Sequence, residues 1–260
     1  MKTHDETNII DCHVHPRLDA CSSEAADEMI RLAKKCGISR ICLLGDVLRF
    51  GPDPSREHIR KINDQTIELV EMRPDSFLGF CFLNPKHSKK FLMDEAKRCF
   101  EHENIKGIKL EIAVNAADRR VDGVMKIAGE MGAPVLQHSW NTEIINNRKH
   151  QSDPEDVAVL ARRFPDVRII MAHITAASQR GVLAIAPCEN VWTDVSGAQP
   201  VAGTVEYAVD KLGPERILFG SDAPGRDFSA QLGKVYGAQV SERVKKMILT
   251  ENAEKLLEIS

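Results

Sequence analysis

The sequence predicts a (β/α)8 barrel running as a single domain over residues 1–260. Two observations carry this. Short apolar runs alternate with segments of helical periodicity along the whole chain, at a repeat of roughly 30 residues, and eight such units fill the size of such a barrel. No linker, repeat tract or low-complexity segment interrupts the alternation. The competing fold, an open doubly wound sheet, would be expected to carry a glycine-rich phosphate loop after its first strand, where this chain has His13-Val14-His15-Pro16.

The first apolar run begins at Ile9 and leads into Asp11-Cys12-His13. Ala26, Met29, Ile30 and Ala33 then fall at i, i+3, i+4 and i+7, the stripe of a helix packed on a sheet, and Gly37 stops it. A buried strand follows at 39–45, a helix carried by Ile59, Ile62, Leu69 and Val70, and a third strand at 77–83 closed by Asn84-Pro85. Leu92, Ala96, Cys99 and Phe100 mark the next helix, and residues 105–112 the fourth strand. Val121, Val124, Met125 and Ala128 give a helix ended by Gly132, before a fifth strand at 134–138. Asp153-Pro154 reads as an N-cap with proline at the first helical position. The sixth, seventh and eighth strands fall at 167–173, 190–195 and 216–220, with Val244, Met247, Ile248, Leu256 and Leu257 on closing helices.

Composition limits the partners. A formal net charge of −3, with both signs interspersed, offers no basic footprint for nucleic acid or an anionic membrane. A small-molecule substrate is expected. Seven cysteines at irregular spacing make no disulfide framework and suggest a reducing compartment. The residues at the start of the chain lack an apolar targeting core, and no run is long enough to span a bilayer, so a soluble cytoplasmic protein is expected.

Polar residues that look out of place in buried strands gather at strand C-termini. His13 and His15 end the first strand, Lys109 and Glu111 the fourth, His138 the fifth and His173 the sixth, while Asp222 follows the eighth. Barrel active sites are built at that rim. Alternate residues of a strand share a face, so His13 and His15 aim two imidazoles at one point. Three histidines and an aspartate suit Zn2+, and also Fe2+, Mn2+ or Ni2+, with one coordination position left for water. Asp222 is the candidate for taking the proton of that water and passing it on.

Asp11-Cys12-His13-Val14-His15-Pro16, Gly107-Ile108-Lys109-Leu110-Glu111, Val135-Leu136-Gln137-His138-Ser139, Ile169-Ile170-Met171-Ala172-His173 and Ile217-Leu218-Phe219-Gly220-Ser221-Asp222-Ala223-Pro224 occur in this order. Together they resemble the amidohydrolase superfamily, in particular its amidohydrolase-related branch, over nearly the whole chain. The resemblance implies His13, His15, His138 and Asp222 as ligands of a divalent metal, zinc first among them. It implies His173 as ligand of a second ion or as an electrophile, acid or base. Relatives often read Lys-Leu-His-Pro where this chain has Lys109-Leu110-Glu111-Ile112. Lys109, if carboxylated, or Glu111 is therefore a candidate bridge to a second ion, and Lys109 as a cation is a candidate substrate contact. One essential ion, with room for a second, is expected.

Arg49, Asn84, Trp140, Arg148, His150 and Arg226 lie after strands, on the same rim, and are candidate substrate contacts. The leading expectation is hydrolysis of an amide, lactone or ester, with water activated on the metal and Asp222 as proton shuttle. The alternative is a non-oxidative decarboxylase, since this branch also resembles the aminocarboxymuconate-semialdehyde and hydroxybenzoate decarboxylases. A TatD-type deoxyribonuclease is less consistent, because the chain lacks that group's Gly-Glu-x-Gly-Leu-Asp setting and a basic groove. A barrel that keeps metal only for stability is the non-enzymatic reading. Resemblance to this branch also implies a homo-oligomer, a dimer in the simplest case.

Overall fold

The computed structural model describes residues 8–19, 22–140, 151–198 and 200–259. Eight parallel strands follow one another in sheet order from first to last. They are β1 (Ile9–Val14), β2 (Ile38–Leu43), β3 (Phe77–Phe82), β4 (Ile105–Leu110), β5 (Val135–Gln137), β6 (Ile169–Met171), β7 (Val191–Asp194) and β8 (Ile217–Leu218). The helices between them are α1 (Ser23–Lys35), α2 (Arg56–Met72), α3 (Lys89–Phe100), α4 (Asp122–Met131), α5 (Pro154–Arg163), α6 (Ile174–Ile185) and α7 (Thr204–Leu212). After β8 come α8 (Phe228–Tyr236), α9 (Glu242–Lys246) and, beyond a π-helical turn, α10 (Asn252–Leu257). The first and last strands close the barrel through few contacts. Cys12 N donates to Phe219 O (3.0 Å), Asp222 N to His13 O (2.7 Å) and His15 N to Ala223 O (2.8 Å).

Two apolar layers hold the barrel. The larger packs the outer strand faces against the helices. The smaller fills the barrel with Ile10, Cys12, Cys42, Leu44, Leu78, Phe80, Leu136, Ile170 and Leu218, and includes Ala253, Leu256 and Leu257 of α10. Local signals match the helices that flank these layers. Ser22, Ser55 and Ser88 cap α1, α2 and α3 with side chains that accept a backbone N–H. Asp153 caps α5 in a reciprocal box with Asp156, and Pro154 occupies the first turn.

Several strands end earlier than the apolar pattern suggests. β4 stops before Glu111, β5 before His138 and β6 before His173, and β8 ends at Leu218, short of Gly220. At His173 (φ 67°) the backbone adopts the left-handed region and leaves the ladder, and Asp222 (φ 65°), beyond β8 as expected, takes the same conformation. β1 carries a bulge. Asp11 faces Ile41 and Val14 faces Leu43, so three steps of β1 match two of β2. Ile10 and Cys12 face the barrel core, and the extra residue lets His13, next in sequence, join the centre of the rim.

Gly107 lies in β4 where a Cβ atom would stand 2.3 Å from Phe80 Cε1, and Phe80 is fully buried among barrel residues. The ring has no room to retreat. Gly107→Ala is expected to cost about 1–3 kcal/mol through overpacking, read as a lower urea midpoint with an unchanged slope.

Candidate metal centre

At the rim, His13 Nε2 and His15 Nε2 face each other at 3.2 Å. Their other nitrogens fix what this contact is. His15 Nδ1 lies 2.8 Å from the carbonyl oxygen of Gly45, which can only accept, so Nδ1 carries the proton. His13 Nδ1 lies 2.8 Å from the Asp194 carboxylate and donates in the same way. Both rings are held neutral. Burial, reinforced by the Lys109 ammonium, lowers His15 to about 4 and His13 well below the usual imidazole range. Two bare lone pairs thus point at one another.

That arrangement repels unless a cation lies between them. Nitrogen atoms bound at about 2.1 Å to one ion are about 3.2 Å apart when they subtend roughly 100°, so the spacing suits a shared ion. Asp222 Oδ1 stands 3.8 Å from His13 Nε2. His13, His15 and Asp222 form one of two sets among the described residues whose ligand atoms all lie within 4.8 Å of one another. These donors fit a divalent cation. Burial and the nearby Asp194 carboxylate push Asp222 up to about 6, against the pull of Lys109 and Arg226. A bound cation would reverse that shift.

The second set, His13, His173 and Asp194, is a hydrogen-bonded support. Asp194 at the end of β7 is fully buried and accepts from His13 Nδ1, His173 N (3.1 Å) and Ser196 N (2.9 Å). The Ser196 hydroxyl donates to Asp194 Oδ1 and stands 2.8 Å from His173 Nδ1. His173 therefore presents Nε2, and burial together with His13 holds the ring well below its usual pKa. Gly197 (φ 86°) closes the support, since a Cβ there would lie 2.8 Å from His173 Nδ1.

Across the rim, Glu111 joins two of the expected residues. Its Oε1 lies 3.1 Å from His138 Nδ1 and its Oε2 lies 3.0 Å from Lys109 Nζ. Burial alone would raise this carboxyl, but His138, Lys109 and His15 outweigh it and hold Glu111 at about 2. His138 belongs to neither three-residue set, and its ring stands edge-on to His173 at 5.1 Å. Trp140 lies nearly parallel to His138 (4°) and edge-on to His173 at 5.4 Å.

The expected substrate contacts are placed unequally. Trp140 reaches the centre. Arg226 is exposed and donates to the carbonyls of Gly197 (3.1 Å) and Gly225 (2.9 Å). Arg49 lies on the rim beside Asp19 at 3.6 Å. Asn84 is buried with its amide committed to backbone, donating to Pro52 O and accepting from Lys86 N. Arg148 and His150 lie outside the described residues. Sequence reasoning missed Asp194 and Ser196 as functional partners; the signal was an acid at the C-terminal end of a buried strand, the criterion that found the others.

The amidohydrolase family profile matches residues 10–259, and the chain belongs to that family. Its backbone resembles 5-carboxyvanillate decarboxylase from Sphingomonas paucimobilis, with 14% identity, a TM-score of 0.77, and 98% of this chain and 100% of that chain covered. It also resembles 2,6-dihydroxybenzoate decarboxylase from Rhizobium, with 17% identity, a TM-score of 0.76, and 97% and 99% covered. A third similar structure is a dihydroxybenzoic acid decarboxylase from Polaromonas with bound manganese and 2-nitroresorcinol, at 18% identity and a TM-score of 0.72, with 97% of each chain covered. At these identities the likeness establishes a shared barrel. Among the described residues, no helix is long and apolar enough to cross a membrane.

Asp194→Asn should leave the fold intact and disturb the tautomer of His13. A divalent ion is expected to bind about 10–100-fold more weakly, measured by competition with a chromogenic chelator.

Proposed function

We propose that this chain is a metal-dependent, non-oxidative decarboxylase of an aromatic carboxylic acid. The observation that carries the reading is one cation seat, His13, His15 and Asp222, facing a rim where Trp140 and two imidazoles form an aromatic wall. A flat ring can stack there while its acidic oxygens reach the seat. The named activities of the three similar structures, all decarboxylations of aromatic acids, support the same reading.

His13, His15 and Asp222 would hold the ion, and His138, with Nδ1 turned to Glu111, offers Nε2 as a further donor. A bound divalent cation supplies Lewis acidity, gathering the substrate's oxygens and drawing charge from the ring. Nitrogen and oxygen donors suit manganese as well as zinc. The chain's own residues do the rest. Trp140 orients the ring, and the buried rim limits access of water to the carbon that loses its carboxylate. Asp222 would relay a proton taken from solvent to that carbon as the bond to CO2 breaks, so one proton replaces one CO2. His173 Nε2, fixed through Ser196, offers a neutral hydrogen-bond acceptor on the same rim.

Hydrolysis is the second reading, favoured by one observation. The Asp222 carboxylate beside the histidines can equally accept a proton from water. Solvent isotopes separate the two. Metal-loaded protein given 2,6-dihydroxybenzoate, 5-carboxyvanillate and related acids should release CO2 and place one solvent deuteron on the ring. Solvent oxygen in the product of an ester or lactone, without CO2 release from any acid, would establish hydrolysis instead. Asp222→Asn should lower kcat by about 10²–10⁴-fold in either case.

A further inference from the structure

Asp11 is a fully buried acid that belongs to neither ligand set and that the proposed chemistry leaves unused. One of its oxygens, Oδ1, accepts two backbone N–H groups, from His13 (3.0 Å) and from Ser221 (2.9 Å). The first bond is local, an aspartate side chain closing on its own backbone two residues on. It fastens the β1 bulge, since His13 falls in the stretch between Asp11 and Val14 where the register with β2 shifts. The second bond crosses the seam between β1 and β8.

These two donors flank the seat on both sides of the seam. His13 is one of its ligands, and Ser221 immediately precedes Asp222, the ligand that faces His13 at 3.8 Å. A backbone bond completes the ring, because Asp222 N donates to His13 O (2.7 Å). His13 is therefore held at both backbone groups, its N–H through Asp11 and its C=O by Asp222. Gly220 allows the approach, as a Cβ there would stand 2.9 Å from His13 Cβ. Such restraint has a purpose. His13, His15 and Asp222 gather lone-pair donors that repel one another until a cation lies between them, so something other than the ion must hold them together beforehand. With no exposed surface, Asp11 acts only through the two residues it grips.

We propose that Asp11 is a positioning residue for the cation seat: with one oxygen it ties the backbone of His13 to that of Ser221 and sets the separation of His13 and Asp222 in advance of the ion. The inference rests on His13, His15 and Asp222 as the seat and is independent of the reaction carried out there.

Titration of the metal-free protein with Zn2+ against a chromogenic chelator, at a temperature where circular dichroism shows each variant fully folded, tests this. Both bonds end on the same oxygen, so Asp11→Asn keeps the acceptor and should bind Zn2+ within about threefold of the wild type. Asp11→Ala removes it and is expected to weaken binding about 10–100-fold. Wild-type affinity in Asp11→Ala, the result of a role in barrel stability alone, overturns the proposal. So does an equal loss in Asp11→Asn and Asp11→Ala, which would assign the effect to charge. Should Asp11→Ala fail to fold, amide hydrogen exchange in the wild type decides. The N–H groups of His13 and Ser221 are expected to be as well protected in metal-free protein as with Zn2+. Protection of either that rises by about tenfold or more on adding Zn2+ would show that the ion draws the two strands together, and would overturn the proposal. A wild type that binds no Zn2+ rejects the seat and the proposal together.

Discussion

The rim depends on one carboxylate. Asp194 is buried beyond the reach of solvent, and it survives there because His13, His173 and Ser196 all donate to it. Its charge sets the tautomer of His13 and, through the Ser196 hydroxyl, that of His173. The ring nitrogens facing the centre are free because those facing away are occupied. Remove this anchor and three side chains lose their orientation together, which is why the arrangement is better described as a network than as a sum of contacts.

Around that anchor the backbone takes unusual conformations. His173 and Asp222 both sit in the left-handed region, a place most side chains avoid. Such conformations persist where the surroundings over-determine them. For His173 the surroundings are the Asp194 contact to its backbone N–H and the close approach of Gly197. For Asp222 they are the hydrogen bond from its own N–H to His13 O and that from Arg226 N to its carbonyl. The apolar barrel interior below is well packed and unyielding, so the polar layer stands on a fixed floor.

Much of the fold was legible because period and punctuation agree: apolar runs, helical stripes, and the Asp153-Pro154 cap lie where local physics puts them. The rim was legible for a related reason. Histidines and acids at the ends of buried runs carry a desolvation cost that a structural role rarely justifies. What the pattern hid depends on three dimensions. Glu111 reads as a candidate bridging ligand from its spacing, yet it is divided between His138 and Lys109 because β4 and β5 are neighbours. Asp194 reads as an ordinary strand end until β7 brings it beneath His13. The bulge in β1 shows no sequence signal, since Cys12 and His13 both face the centre where simple alternation would separate them.

The seam between β1 and β8 takes on a further meaning in this light. The chain's first and last strands meet there through a handful of hydrogen bonds, one of them between Asp11 and Ser221, 210 positions apart. The same seam supplies His13, His15 and Asp222. An ion held by these three would act as a crosslink that closes a loop of nearly the whole polypeptide, and its binding free energy would count toward folding. Cofactor occupancy and the closing of the barrel would then be one equilibrium observed from two sides.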